Sequence, residues 1–349
     1  MKEAMFSKRD DKGGAVQCLI CPHRCLIREG AVGICRTRTV KDGVLYSTIA
    51  DYCCSVNLDP IEKKPLYHFY PGSWIMSLGT FGCNLSCLFC QNWTLSHVDD
   101  HYLTAEGIKR AARHITPADA LELAYGTAEK GNIGIAYTYN EPSIWYEYVL
   151  EASRLLKEKG LVNVLVTNGY LAEEPQRNLL PYIDAVNVDI KSINPDFYKK
   201  YCRATLEPVL RYCEIAKESA LVEITNLVIP TLNDSDEDFT KLTDWVEKNL
   251  GRDVPLHFSR YHPDFRMDIE ATPVSTLERA YQIASGKLRY VYVGNVMSNA
   301  WNNTRCPGCG KAVIKREGMG VSELNLDDRN CCAFCGAEVQ IRGKCRRSW

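Results

Sequence analysis

Ile75-Met76-Ser77-Leu78-Gly79-Thr80-Phe81-Gly82-Cys83-Asn84-Leu85-Ser86-Cys87-Leu88-Phe89-Cys90 runs from a strand-sized apolar stretch straight into three cysteines at C-x3-C-x2-C spacing. The apolar part, 75–78, is the first of a series of such stretches. Others stand at 133–138, 162–167, 185–190, 222–229 and 255–259, with 290–293 as a seventh candidate. Between them lie amphipathic helical patterns at 117–130, 144–159, 206–217, 236–249 and 274–284, the first opened by Thr116 as N-cap and Pro117 at the first helical position. Strands alternating with helices predict βα units around a parallel sheet, and right-handed crossovers curl such a sheet into a barrel. The expected fold is therefore α/β, a partial (β/α)6 barrel.

The residues following each strand are polar: Thr80 to Cys83, Tyr139-Asn140-Glu141-Pro142, Thr167-Asn168-Gly169, Asp189-Ile190-Lys191, Pro230 to Asp234, and Arg260-Tyr261-His262-Pro263. In a (β/α) barrel this face holds the active site, although turn chemistry alone also places Asn, Asp, Gly and Pro there. Asp189 and Lys191 are two apart and share one side of a strand, expected to be the inner one. The same parity is expected of Arg260 and His262. The competing readings are a strand-end ion pair, a surface arginine and a turn histidine.

The chain has 349 residues, 46% hydrophobic and 24% charged, with a formal net charge of -1. That is globular composition without a global basic field for nucleic acid. No apolar run is long enough to span a membrane, and the charged stretch Met1–Gly14 lacks a secretory core, so a reducing, cytoplasmic setting is expected. Three zones are expected: a Cys-rich N-terminal segment (1–72), the barrel (73–297) and a C-terminal module (298–349).

Seventeen cysteines are the outlying number, and in a reducing compartment clustered cysteines read as metal ligands. Cys83, Cys87 and Cys90 fit three irons of a [4Fe–4S] cube, leaving the fourth open to a non-protein ligand; zinc with a distant fourth ligand is the alternative. Cys18, Cys21, Cys25 and Cys35 offer four thiols and a closed site, zinc or an auxiliary iron–sulfur cluster. There His23 reads as a solvated loop residue or a substitute ligand. Cys306, Cys309, Cys332 and Cys335, each pair followed by glycine, read as the knuckles of a zinc ribbon, with Cys331 competing with Cys332. Arg342, Lys344, Arg346 and Arg347 read as a solubilising tail or a contact for nucleic acid or an acidic partner. Cys53, Cys54, Cys202, Cys213 and Cys345 read as free thiols. The aromatic series Tyr137, Tyr139, Trp145, Tyr146 and Tyr148 reads either as a wall for a planar substrate or as packing.

The cysteine spacing, Phe89 before the last cysteine, and the position after the first strand resemble the radical S-adenosylmethionine (SAM) superfamily. Residues 59–69 (DPIEKKPLYHF), Cys90-Gln91-Asn92-Trp93, 137–142 (YTYNEP) and 257–263 (HFSRYHP) further resemble the AmmeMemoRadiSam system branch, which is similar to the pyruvate formate-lyase activating enzymes. The resemblance implies that Cys83, Cys87 and Cys90 hold a [4Fe–4S] cluster. It also implies that SAM is cleaved reductively to methionine and a 5′-deoxyadenosyl radical, which abstracts hydrogen from a substrate. It places Phe89, Asn140, Glu141, Thr167, Asn168, Asp189, Lys191, Arg260 and His262 around the cofactor, with Glu141 toward the SAM amino group. The activating enzymes carry two glycines before that glutamate, where this chain has Tyr139 and Asn140. Implied partners are SAM, an electron donor such as flavodoxin or ferredoxin, the two other proteins of the system, and an RNA, protein or small-molecule substrate. Direct modification of RNA or a small molecule is the leading expectation. Generation of a glycyl radical on a partner protein is the second, and a non-catalytic multi-zinc scaffold the third.

Overall fold

The computed structural model describes residues 1–10, 14–97, 105–297 and 300–348. Its main sheet has eight strands: β1 (Ser55–Pro60), β2 (Trp74–Gly79), β3 (Asn132–Tyr137), β4 (Val162–Thr167), β5 (Ala185–Asp189), β6 (Leu221–Val228), β7 (Leu256–Arg260) and β8 (Val291–Gly294). They lie side by side in chain order, with β2 to β8 parallel and β1 antiparallel to β2. β1 and β8 are the two edges, so the sheet stays open among the described residues.

The main helices between the strands are α1 (Pro117–Tyr125), α2 (Tyr146–Glu158), α3 (Glu173–Leu179), α4 (Glu207–Ala216), α5 (Asp236–Asn249) and α6 (Val274–Ser285). Thr116 and Asp119 form a reciprocal capping box that fixes the start of α1. Ser235 and Asp238 do the same for α5.

The hollow of the sheet is filled by the chain itself. Ile61, Leu66 and Phe69 are buried with Ile75, Ala136, Val164 and Ala185 of β2 to β5, so residues 61–70 act as an apolar plug. The plug's backbone is tied to the strands by Asn187 Nδ2, which donates to Pro65 O (2.8 Å), and by Glu223 Oε1, which accepts from His68 N (2.7 Å). Polar groups inside a β-lined interior need such partners.

Below the plug sits the C-terminal module, a sheet of β9 (Thr304–Arg305), β10 (Ala312–Glu317) and β11 (Gly320–Leu324). Val313, Ile314, Val321 and Val339 pack on Tyr67, Tyr290 and Tyr292. Arg316 is fully buried there: Nη2 donates to Tyr67 O (2.8 Å), Nη1 to Asn302 O and Thr304 Oγ1 (2.9 Å each), and Nε faces Glu62 at 3.5 Å. At the other end, buried Arg38 of the N-terminal segment grips Glu147 of α2 through both Nη atoms (3.0 and 2.9 Å).

Several expectations need correction. The seventh candidate strand, 290–293, forms as β8 (Val291–Gly294), so the parallel strands number seven where the (β/α)6 expectation has six. Residues 55–70, assigned to the Cys-rich segment, form an edge strand and the filling of the barrel. The helix expected over 117–130 ends at Tyr125, where Thr127 Oγ1 bonds the carbonyls of Leu123 and Ala124. The helix expected from 144 is preceded by a 3-10 turn over Pro142–Trp145. The basic tail is not free: Arg342 N and O bond His68 and Tyr70, and Arg346 N bonds Pro71 O. Gly72 permits that approach, since a Cβ there would lie 1.9 Å from Arg346 O.

Candidate active site

A cavity of about 560 Å³ opens where β2 to β7 end, and Cys83, Cys87 and Cys90 all line it. The loop carrying them turns at Gly82, whose φ is +85° and where a Cβ would stand 2.6 Å from Cys35 O and 2.5 Å from Thr37 Cγ2. Glycine is required on both counts. Cys83 Sγ accepts from Leu85 N (3.4 Å) and Asn168 Nδ2 (3.6 Å). Burial pushes the Cys83 and Cys90 thiols up; Cys87 is pushed up by its contact with Cys202 and by burial. Three such sulfurs become thiolates together only against a compensating cationic centre. Cys202, read from sequence as an unrelated thiol, is a buried neighbour of Cys87.

Phe89 is buried against Phe197 and contributes an apolar stretch of wall. Asn140 joins two strand ends: its Oδ1 accepts from Thr80 N (3.1 Å) and its Nδ2 donates to Gly82 O (2.9 Å). Glu141 is also buried and largely occupied. Oε1 accepts from Ser143 N (2.9 Å) and Thr167 Oγ1 (2.8 Å), and Oε2 accepts from Asn168 N (2.8 Å). Burial raises its pKa against these donors. A carboxylate offers about four acceptor positions, so one remains toward the cavity. Asn168 continues the chain of contacts, with Nδ2 donating to Asn84 Oδ1 (2.9 Å) inside the cysteine loop.

Asp189 and Lys191 both line the cavity and form an ion pair at 2.8 Å. Burial works against the Lys191 charge, but Asp189 and Cys87 outweigh it and hold its pKa above the ordinary lysine value. Arg260 and His262 are placed differently. β7 turns Ser259 to the cavity; Arg260 Nε bonds Thr272 O (2.8 Å), and exposed His262 stands at the rim beside Gln91 (3.1 Å).

The facing wall comes from residues that sequence reasoning quoted only for their resemblance. Asp59 pairs with Lys63 (2.8 Å) and Lys64 (2.7 Å) and accepts from Tyr139 Oη; Lys64 Nζ lies 4.6 Å from the Tyr139 ring centroid. Burial brings Lys64 down to about 8 despite Asp59, while the lysines and Tyr139 hold Asp59 well below the usual carboxylate range against its own burial. Tyr139 has φ +73°, the left-handed conformation a glycine adopts freely, so this chain keeps a glycine-like backbone while adding a ring to the cavity. Tyr137, Trp145, Tyr146 and Tyr148 are buried as packing.

The other cysteines form two further groups. Cys18, Cys21, Cys25 and Cys35 line one small enclosed pocket, and His23 joins it while its Nε2 donates to Asn84 O (2.8 Å). It is not a solvated loop histidine. Cys306, Cys309, Cys332 and Cys335 draw together, with Cys306–Cys335 at 3.5 Å and Cys309–Cys332 at 3.8 Å. Cys331 points instead to Arg329 O. Among the described residues this is the one group of three or more Cys, His, Asp or Glu whose ligand atoms all lie within 4.8 Å of one another. Cys83, Cys87 and Cys90 line one cavity, but their sulfurs do not all lie within 4.8 Å of one another, wider than the sulfurs of a single tetrahedral zinc.

A family model described as "Radical SAM superfamily" matches residues 77–246. "Uncharacterized protein MJ0808" of Methanocaldococcus jannaschii is 44% identical over 345 residues, covering 98% of this chain and 99% of that one. The pyruvate formate-lyase-activating enzyme of Listeria monocytogenes is 24% identical over 173 residues, 48% of this chain and 66% of that one. The crystal structure of Streptococcus suis SuiB bound to S-adenosylmethionine aligns with TM-score 0.49 at 12% identity, over 63% of this chain and 52% of that one. No helix among the described residues is long and apolar enough to cross a membrane.

Proposed function

We propose that this chain, an enzyme with a radical SAM superfamily domain over residues 77–246, holds in its 560 Å³ cavity a [4Fe–4S] cluster on Cys83, Cys87 and Cys90 with SAM beside it. When bound, the cluster supplies the electron that divides SAM into methionine and a 5′-deoxyadenosyl radical, which takes hydrogen from the substrate. The observation that carries this reading is three cysteines, their sulfurs not all within 4.8 Å of one another, at the polar end of a parallel sheet.

The chain's own residues divide the work. Glu141, with one acceptor position left, meets the SAM ammonium and at the same time fixes Thr167 and Asn168. Asn168 donates to Cys83 and to the cysteine loop, so the cluster ligand and the cofactor wall move as one unit. Asp189 and Lys191 offer an acceptor and a donor to a ribose or carboxylate, and Phe89 an apolar wall. Arg260 and His262 fall outside this set. Tyr139 and Lys64 cover the side opposite the cluster and narrow the path for water.

The tail docks its backbone on the plug and keeps the side chains of Arg342, Lys344, Arg346 and Arg347 exposed, none of them lining the cavity. Direct modification of RNA or a small molecule reaching the cavity mouth is the leading reading, with an external one-electron donor and the companion proteins of the AmmeMemoRadiSam system as partners. Activation of a partner by a glycyl radical is the second reading, favoured by the similarity to pyruvate formate-lyase-activating enzymes. The Cys306 group holds zinc in a ribbon, and the Cys18 group holds a closed metal site.

The test is anaerobic reconstitution, dithionite reduction and assay of 5′-deoxyadenosine from SAM. Wild type should form it and Cys87→Ala should not. Equal, background-level product from both would sink the reading. Deuterium transfer from candidate substrates into deoxyadenosine then separates direct modification from activation.

A further inference from the structure

We infer that Cys18, Cys21, Cys25 and Cys35 hold a second iron–sulfur cluster rather than zinc, an assignment independent of what the large cavity does. All four thiols face one enclosed pocket whose remaining lining is Ile20, Ile27, Ile34, Ile144, Gly33, His23 and Arg38. Four thiols and no open position make a closed site.

The sulfur spacing separates the two metals. With Zn–S near 2.3 Å, tetrahedral zinc puts its sulfurs about 3.8 Å apart. The C-terminal cysteines have that arrangement, with pairs at 3.5 and 3.8 Å and all four within 4.8 Å. The N-terminal four share one pocket, yet no three of them lie within 4.8 Å of one another among the described residues. A cluster, which places its irons and sulfides between the thiolates, calls for that wider frame.

A second observation concerns Arg38, which lines the same pocket. Arg38 is 1% exposed and spends both Nη atoms on Glu147 and Ile144, while its buried Nε has no partner. An orphaned N–H of a buried guanidinium is costly unless something accepts from it, and a thiolate or bridging sulfide of a dianionic cluster would supply that acceptor. Thr37 Oγ1 already donates to Cys35 Sγ at 3.3 Å. The pocket also abuts the three-cysteine loop, through His23 Nε2 donating to Asn84 O and through Cys35 O against Gly82. Cys21, Cys25 and Cys35 are half-buried, so this site lies between solvent and the large cavity.

The experiment is metal and sulfide analysis with electron paramagnetic resonance (EPR) on the full chain, isolated and reconstituted anaerobically. It compares wild type, a Cys83→Ala/Cys87→Ala/Cys90→Ala variant and a Cys21→Ala/Cys25→Ala variant. Wild type should carry about eight irons and eight sulfides, and the triple variant about four of each, with a reduced-cluster EPR signal that SAM does not alter. Retention by the triple variant of a zinc ion in addition to the C-terminal one, with no sulfide, would overturn the inference, as would the absence of any metal beyond the C-terminal zinc. The triple variant leaves the N-terminal site intact, so the answer does not depend on whether Cys21→Ala/Cys25→Ala folds. Loss of SAM-sensitive iron from wild type alone would count against the cavity reading, not against this one.

Discussion

Replacing His68 by glutamine should flatten the acid side of this protein's stability curve. His68 is buried between the plug and the C-terminal module, with Nδ1 2.6 Å from Gln340 O and Nε2 2.7 Å from Tyr292 Oη. A backbone carbonyl only accepts, so Nδ1 carries the proton and Nε2 accepts from the tyrosine hydroxyl; the neutral ring satisfies both neighbours. Burial brings its pKa from 6.5 down to about 4, with Arg316 and His257 adding to the fall and Glu223 opposing it. Because the folded value is depressed, the unfolded chain binds more protons between these limits. The contribution is therefore complete above pH 6.5 and is lost as pH falls toward 4. Between pH 7 and pH 5 the loss is about 2 kcal/mol. Urea unfolding of metal-loaded wild type and His68→Gln at pH 7, 6 and 5 measures it, since glutamine can keep both hydrogen bonds without titrating. Wild type should lose about 2 kcal/mol more than the variant over that range. Parallel pH profiles would refute the argument.

Gly82→Ala should cost on the order of 2–4 kcal/mol and lower iron uptake, because a Cβ at φ +85° meets Cys35 O and Thr37; iron content at wild-type level after reconstitution would contradict this. Arg316→Leu should destabilise by about 3–5 kcal/mol through the buried Glu62 and the unpaired carbonyls of Tyr67 and Asn302. Adding Glu62→Gln should recover part of that loss, whereas a purely additive double mutant would deny the coupling. Stripping metal from Cys306, Cys309, Cys332 and Cys335 with a chelator should lower the thermal midpoint and expose Tyr290 and Tyr292, read by tyrosine fluorescence. An unchanged midpoint on metal loss would show that the module holds without it.

The cysteine groups were legible because their members, Cys35 apart, fall in short C-x2-C and C-x3-C runs that a local turn holds together, and in the C-terminal group the β10–β11 hairpin then brings Cys306 and Cys309 to Cys332 and Cys335. The parallel strands were legible as apolar runs between helical patterns. Side-chain direction proved less secure. The expected inward pair Asp189 and Lys191 does line the cavity, but on β7 the same parity argument chose Arg260 where the structure turns Ser259 inward. With a period of two, uncertainty of one residue in the strand's register reverses every face. The plug was illegible for another reason. Ile61, Leu66 and Phe69 carry no strand or helix periodicity, and their partners lie on strands far along the chain. Tyr139 adopts a backbone that its residue type disfavours, which no propensity predicts.

The contact between Glu62 and Arg316 spans 254 positions of sequence. At a synthesis rate of about 5–20 residues per second, the plug waits on the order of 10–50 seconds on the ribosome before the module that seals it has emerged. For most of that interval the strands of the barrel are themselves still being made; from the end of β8 at Gly294 to the end of the module takes about 3–10 seconds more, and during it the barrel has its cysteines but an unsealed base with buried-type polar groups exposed. Its folding in the cell is therefore timed by translation of the 300–348 region, and the enzyme reaches its sealed form only once that region has left the ribosomal tunnel.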